Sequence, residues 1–347
     1  MKILNINTEH TAPLKTLFEV LKEILVEANI EFINNDLKKS TKSKNNIINM
    51  DSDSDEENNS DDEDEKTQTQ VKKFNGMKIM ATDMSNTILI YLKLDAENFK
   101  EFDCKKKRII VGVNFSHLNK IFKTVEKDDN LSIYINKNEE NLLGVKLENF
   151  EKKKIDKFEM KLMDLNNTTL TLPTKEFDSA ITMDANEFHK ICREMNGIAD
   201  YINIECINKK VIFSCIGDEL GRKRTLIEDT KSNIRIDHTV NKDSKNNEPK
   251  IVKGNYELKN LILFSKCQSL CNTINIYMKN NYPLFIKYSV ATLGTLHICV
   301  ANNKPPDDEA SDNEESKDND FSDNESVDSC KKYYNDDSDS DDQVEYK

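Results

Sequence analysis

Nine cations recur on the polar faces of four segments with helical periodicity. Lys15 and Lys22 lie seven apart, opposite the apolar stripe Leu14, Leu17, Phe18, Leu21, Ile24, Leu25 and Ala28. Lys120, Lys123 and Lys127 avoid the stripe Leu118, Ile121, Phe122 and Val125. Lys190 and Arg193, with His189, stand opposite Phe188, Ile191, Cys192 and Met195, and Lys259 and Lys266 stand opposite Leu258, Leu261, Ile262 and Phe264. Cationic groups on long stems neutralise phosphates without reading bases, so one chemistry open to this pattern is sequence-independent contact with a polyanion. Lysine-rich polar faces are equally the ordinary solvated side of an amphipathic helix. Two features weigh against that plainer reading: all four segments share the cations, and glutamate is not equally placed there except on the first.

A second candidate is apolar. The stretch IDKFEMKLMDLNNTTLTLPTKEFD, ending at Asp178, opens as a strand in which Phe158, Met160 and Leu162 alternate with Lys157, Glu159 and Lys161. It then loses all periodicity and keeps Leu170, Leu172, Pro173 and Phe177 as its only large apolar groups. Such a segment reads as an extended linker across a surface, and its apolar groups form a patch that either binds something or pins the linker down.

Catalytic patterns are missing from the sequence. The five histidines are isolated, and no Gly-rich phosphate loop or Ser/Cys–His nucleophile pattern occurs. Cys267 and Cys271 are four apart but have no second pair to complete a metal site. The aspartate runs at Asp51–Asp55 and Asp336–Asp342 lack the loop glycines of a calcium site and read as solvated acid tracts. We therefore expect no catalytic residue, no metal and no cofactor.

The 347 residues carry a net charge of −13, but its location matters more than its sum. Asp51 to Glu65 holds ten acids and no base, and Asn303 to Lys347 holds 17 acids against five lysines. Excluding a low-complexity insert at residues 34–75 and that tail leaves a remainder of about +3, so a mildly basic body is flanked by acid that cannot bury enough apolar surface to fold. Eight scattered cysteines suit reduced thiols in a cytosolic or nuclear protein. No run of about 18 apolar residues predicts a membrane span, and the start MKILNINTEHTAP is too short and polar for a secretory signal.

The elements that must position these groups follow from periodicity. Met1–Asn7 reads as a strand, then a helix over Pro13–Asn29 that Thr11 can cap, then a strand from Ile30. Strands follow at Met77–Ala81, Thr87–Leu94, Arg108–Val113, Leu131–Ile135 and Leu142–Leu147, with a helix over Ser116–Lys127. After the linker comes a strand at Ser179–Met183 and a helix capped by Asp184. Strands at Ile202–Cys206, Lys210–Ile216, Arg222–Ile227 and Ile234–His238 precede a polar loop over Asn241–Pro249. A helix over Tyr256–Cys271 and strands at Thr273–Met278, Leu284–Val290 and Thr295–Ala301 close the plan. The order repeats, which predicts an internally duplicated α+β unit with sheets on one side and basic helices on the other.

Phe158-Glu159-Met160-Lys161-Leu162-Met163-Asp164-Leu165 resembles the strand entering the interdomain connecting loop of the proliferating cell nuclear antigen family, the eukaryotic and archaeal DNA sliding clamps. The similarity runs from Met1 to about Ala301 apart from one insertion, with further matches at Leu118–Lys123, Glu187–Arg193 and Glu219–Gly221. It implies an α+β DNA clamp fold of two similar domains, each with two helices packed on antiparallel sheets. The domains would be residues 1–161, containing the insert at 34–75, and 178–302, joined by a connecting loop at 162–177 and followed by an acidic tail at 303–347.

The resemblance places Lys15, Lys22, Lys120, Lys123, Arg193, Lys259 and Lys266 at family positions that face duplex DNA. It places Leu89, Met163, Leu170, Leu172, Pro173, Phe177, Tyr282, Pro283, Val300 and Ala301 in a pocket for short partner peptides. Thr16 and Gly197 depart from the family near the DNA face, and Thr82, Asn86 and Thr87 depart from it around the pocket. Implied further are a homotrimeric ring that catalyses nothing, and as partners a DNA polymerase, a clamp-loader ATPase and other replication and repair enzymes. The site of action would be the nucleus or a cytoplasmic site of viral DNA replication, the Asn-, Lys- and Ile-rich composition suggesting an AT-rich genome such as a large DNA virus. The alternatives are a subunit of a heterotrimeric clamp, a monomeric processivity factor, an acidic histone chaperone and, more distantly, a metal-dependent nuclease.

Overall fold

The computed structural model describes residues 1–36, 74–166, 170, 176–218, 221–229, 234–238 and 251–303. The first half runs β1 (Lys2–Thr8), α1 (Thr11–Ile24), β2 (Glu27–Ile33), β3 (Gly76–Thr82), β4 (Ile88–Asp95), β5 (Glu101–Cys104), β6 (Arg108–Asn114), α2 (Phe115–Lys123), β7 (Asn130–Asn136), β8 (Glu139–Asn149) and β9 (Lys154–Lys161). The second runs β10 (Ser179–Asp184), α3 (Ala185–Asn196), β11 (Tyr201–Ile207), β12 (Lys210–Gly217), β13 (Gly221–Glu228), β14 (Arg235–His238), β15 (Ile251–Glu257), α4 (Leu258–Ser265), β16 (Thr273–Met278), β17 (Leu284–Val290) and β18 (Gly294–Val300). Among the described residues each half thus has nine strands, with a helix after the first and after the sixth. The expected duplication is present strand for strand.

The sheets repeat the same way. Order β5-β1-β7-β8-β9 in the first half matches β14-β10-β16-β17-β18 in the second, and β6-β2-β3-β4 matches β15-β11-β12-β13. The two halves join where β18 pairs antiparallel with β4, from Gly294↔Leu94 to Val300↔Ile88, making one nine-stranded sheet. By the same correspondence β9 and β13 are the equivalents of β18 and β4, and among the described residues each ends its sheet with one edge unpaired.

Alternation explains why these segments are strands. Met77, Ile79 and Ala81 of β3, Ile88, Ile90, Leu92 and Leu94 of β4, and Leu296, Ile298 and Val300 of β18 point into the main core. The helices bury their stripes against that layer, with Phe18 stacked on Phe122 at 4.3 Å between ring centroids. Asp184 caps α3 as expected, accepting from the backbone N–H of Asn186 at 2.9 Å and of Glu187 at 3.0 Å.

Several boundaries differ from expectation. Helix α1 stops at Ile24, not Asn29: Leu25 is already extended, and Ala28 is buried from a strand in register with β6. Thr11 is inside the helix rather than capping it, and its hydroxyl donates to the Glu126 carbonyl at 3.4 Å. Helix α2 ends at Lys123, so Lys127 lies beyond it. Tyr256 belongs to β15, a strand that helical periodicity hid, and α4 gives way at Lys266 to a 3-10 turn ending at Ser269. Strand β5 was not expected. Of the insert, residues 37–73 lie outside the described residues, as do 304–347 of the tail and the loop Asn241–Pro249. The neck of the insert is described: Asn35 N–H donates to Asn75 Oδ1 at 2.7 Å beside the Ile33↔Gly76 pair, as an insertion into the β2–β3 hairpin requires.

Candidate nucleic-acid interface and peptide pocket

The four helices lie side by side. Helix α1 packs on α2, α3 packs on α4, and α1 meets α4 and the 3-10 turn, so one layer runs α2, α1, α4, α3 across both halves. Lys120, Lys123, Arg193, Lys259 and Lys266 are exposed on it, and Lys15 and Lys22 are half-buried.

Three of these cations converge on one carboxylate. Glu23 of α1 is held below the usual carboxylate range, first by the hydrogen bond from Lys22, while burial pushes the other way. The charges of Lys22, of Lys266 from the 3-10 turn and of Lys123 from α2 add to the lowering. Lys22 Nζ lies 2.7 Å from Glu23 Oε1. Cations from three elements and both halves therefore share one electrostatic neighbourhood, which sequence spacing could not show.

The remaining cations divide by what holds them. Lys15 Nζ donates to the carbonyls of Lys123 at 3.1 Å and Val125 at 2.9 Å, so it closes the C-terminal end of α2, where a positive charge is favoured. Lys259 Nζ sits 3.6 Å from Glu257. Arg193 shares α3 with Lys190 and Glu194, and Glu194 is held low first by a hydrogen bond from Lys223 and then by the charges of Lys223, Lys190 and Arg193. The expectation that acid is sparse outside the first helix therefore fails on α3.

The apolar site forms on the other face of the nine-stranded sheet. Leu89, Cys299, Phe285 and Tyr277 stand opposite one another on β4, β18, β17 and β16. Leu89, Tyr282, Phe285, Cys299 and Ala301 make one buried cluster, with Met80, Leu170, Phe177 and Tyr277 packed on it. The Phe177 ring lies 4.8 Å from Phe285, 5.4 Å from Tyr277 and 6.2 Å from Tyr282 between centroids. Pro283 is buried in the turn that carries Tyr282. Thr82 and Asn86 form a hydrogen-bonded rim at 3.0 Å, and the Ala301 N–H donates to the Thr87 carbonyl at 2.9 Å.

Two expected pocket residues are elsewhere. Val300 is on the opposite face of β18 and belongs to the main core, because residues one apart on a strand cannot share a face. Met163 pairs with Gly112 of β6 and lines a separate groove of about 390 Å³ with Ile109, Val111 and Leu162. Leu172 and Pro173 lie outside the described residues. Sequence reasoning missed Phe285, Cys299, Met80 and Tyr277; the alternation that pairs Cys299 with Ala301 on one face was the available signal. Cys267 is sealed in the core, its thiol pushed up by burial, while Cys271 is half-buried.

Comparison with known proteins agrees with this architecture. The family model described as proliferating cell nuclear antigen, N-terminal domain, matches residues 65–169, and that of the C-terminal domain matches residues 171–303. A protein of Acanthamoeba polyphaga mimivirus named "Probable DNA polymerase sliding clamp" is 32% identical over 303 residues, covering 86% of this chain and 62% of its own length. This chain thus spans less than two thirds of that relative. "Probable DNA polymerase sliding clamp 1" of Paramecium bursaria Chlorella virus 1 is 30% identical over 65% of this chain and 84% of its own length. The "Proliferating cell nuclear antigen" of Chaetomium thermophilum is 30% identical over 65% of this chain and 85% of its own. Among solved structures, the proliferating cellular nuclear antigen of Entamoeba histolytica superposes with a TM-score of 0.67 at 20% identity, over 88% of this chain and all of that one.

Proposed function

The chain belongs to the proliferating cell nuclear antigen family, and from that premise we propose that it is a DNA sliding clamp. It encircles duplex DNA, catalyses nothing itself, and tethers a DNA polymerase and other replication and repair enzymes through short peptides. The observation that carries this reading is the single helix layer, on which Lys22, Lys123 and Lys266 gather from three elements. Mobile cations contact phosphates without halting movement along them, and ring topology replaces tight binding.

The ring follows from the duplication. Within the chain, β18 of one unit pairs with β4 of the other; β9 and β13 repeat those two edges and, among the described residues, have no strand partner there. A second copy can therefore add at β9 through the same kind of junction, and a head-to-tail contact of this type closes into a ring when its rotation permits. Apolar side chains are exposed near both edges: Phe150 and Ile155 on one, Ile216 and Leu226 on the other. A homotrimer gives six such units, with the DNA-facing set Lys15, Lys22, Lys120, Lys123, Arg193, Lys259 and Lys266 lining the hole. Unpaired edges of this kind speak against a monomeric factor.

The domain limits we propose are residues 1–161 and 178–302, with a connecting strap at 162–177. Opening the ring for loading falls to a separate clamp-loader ATPase. The chain acts where DNA is replicated, in the nucleus or at a cytoplasmic site of viral replication. The deciding experiment is native mass determination with a processivity assay on primed circular DNA. A trimer that lengthens polymerase products supports the reading; a monomer, or a trimer without effect on product length for any polymerase of its host system, overturns it. Loss of function on deleting residues 303–347 alone would favour an acidic chaperone instead.

A further inference from the structure

The outer face of the nine-stranded sheet carries a cationic strip beside the aromatic pocket. One row of side chains across it is Tyr277, Phe285, Cys299 and Leu89, the pocket floor. Two residues further along each strand, on the same face and about 7 Å away, runs Asn275, Lys287, His297, Tyr91 and Met80. Lys93 and Lys78 stand opposite each other in the row beyond. Lys78 Nζ is 5.8 Å from the centre of the Tyr91 ring, and Lys93 Nζ is 4.3 Å from that of Phe74. His297 is tilted on Tyr91 with centroids 5.8 Å apart.

Glu31 of β2 stands opposite Lys78 but is engaged by Arg108 at 2.7 Å, Asp95 ends the same face of β4 opposite Gly76, and Asp237 of β14 is engaged by Arg235 at 3.0 Å. Among the described residues, Lys78, Lys93 and Lys287 make no ion pair within 4.0 Å. His297 stands among these lysines: burial first, then the charges of Lys287 and Lys93, lower its pKa to about 4. A flat, half-buried group of lysines that outnumbers the acid beside it, makes no ion pair among the described residues and is continuous with a peptide pocket is complementary to an anionic continuation of the same peptide.

We propose that partner peptides of this protein carry an acidic segment next to their aromatic anchor, and that Lys78, Lys93 and Lys287 receive it. The proposal deepens the peptide-pocket reading and rests on it. An extended chain advances about 3.3 Å per residue, so acids two to six residues from the anchor reach the strip. The strip then selects among partners that share the aromatic anchor, because a basic flank meets like charge there.

The test uses the full chain and synthetic peptides bearing two adjacent aromatic residues. Each is flanked on one side, N-terminal or C-terminal in separate peptides, by four glutamates, four glutamines or four lysines. The expected result at low salt is about tenfold tighter binding of one glutamate peptide than of its glutamine counterpart, with the lysine peptide weaker than both. The preference should disappear in the triple variant Lys78→Gln, Lys93→Gln, Lys287→Gln while the glutamine peptide binds unchanged, and should shrink as salt screens it. In the complex the His297 ring should titrate at a higher pH than in the free protein. Equal affinity for all flanks overturns the proposal and leaves the pocket standing. Failure of every peptide to bind overturns both. A preference seen only after removal of residues 304–347 overturns the proposal in favour of the chain's own acidic residues as the occupant.

Discussion

Lys15 Nζ lies 2.9 Å from the Val125 carbonyl oxygen and 3.1 Å from that of Lys123, so a side chain of the first helix closes the end of the second. The Lys123 carbonyl is one of the orphan acceptors the helix leaves at its C-terminus, and Val125 lies just beyond the C-cap. Lys15→Met keeps the aliphatic stem and removes the donor. We expect a loss of about 1 kcal/mol in unfolding free energy, read from denaturant midpoints, and a smaller loss of DNA affinity than Lys120→Met causes. If Lys15→Met instead leaves stability unchanged and weakens DNA binding as much as Lys120→Met does, the capping role is wrong.

The exposed cations predict a salt signature. The quadruple charge reversal Lys22→Glu, Lys120→Glu, Arg193→Glu and Lys266→Glu touches no core side chain, so the thermal midpoint should move little. Loading and processivity should drop sharply. For binding to linear duplex, removing the four cations should lower the magnitude of the salt slope by about four per protomer. An unaltered slope would remove these residues from the DNA face.

Phe177 anchors the strap through three aromatic neighbours. Phe177→Ala should cost about 1–2 kcal/mol of stability, less than a fully buried phenylalanine because the ring is only half-buried. Affinity for aromatic-anchor peptides, measured by calorimetry, should fall at least tenfold because the pocket loses a wall. The proposed ring assembly through β9 and β13 should survive.

Gly112 lets the strap approach β6. A Cβ there would stand 2.4 Å from the Met163 carbonyl oxygen and 2.8 Å from Leu165. Gly112→Ala must therefore push the strap off the Met163 N–H to Gly112 carbonyl hydrogen bond, now 2.9 Å. The expected cost is about 1–3 kcal/mol, with faster proteolysis within residues 162–177 than in the native chain. Proteolysis at the native rate would mean that the strap's position does not depend on this contact.

Much of this was legible in the residues. The stripe Leu14, Leu17, Phe18, Leu21 can only be a helix face, Asp184 ahead of an apolar period can only be a cap, and the strand order could be counted to a duplication. What failed did so for tertiary reasons. Leu25 and Ala28 continue the helical period of α1, yet pairing with β6 takes Ala28 into a strand. Tyr256 fits the stripe of α4 but is claimed by β15. The resemblance puts both Val300 and Ala301 in the pocket, yet alternation allows only one of two strand neighbours on a face, a conflict visible in the sequence itself. The convergence of Lys22, Lys123 and Lys266 on Glu23 was not legible, because helix order within the layer is set by packing between the two halves.

His297 makes the last prediction one about pH. Folded, its pKa is lowered to about 4, chiefly by burial and further by Lys287 and Lys93; unfolded, it takes up a proton near 6.5. Between these values the unfolded chain binds the proton and the folded chain does not, so stability rises with pH across that window. The neutral ring's contribution is thus fully present above about 6.5 and drains away as pH falls toward about 4. His297→Gln cannot titrate. The difference in denaturant midpoint between native chain and variant should therefore change from pH 7 to pH 4.5, with the native chain losing more stability on acidification. Parallel pH profiles for the two proteins would mean that His297 titrates normally in the folded chain.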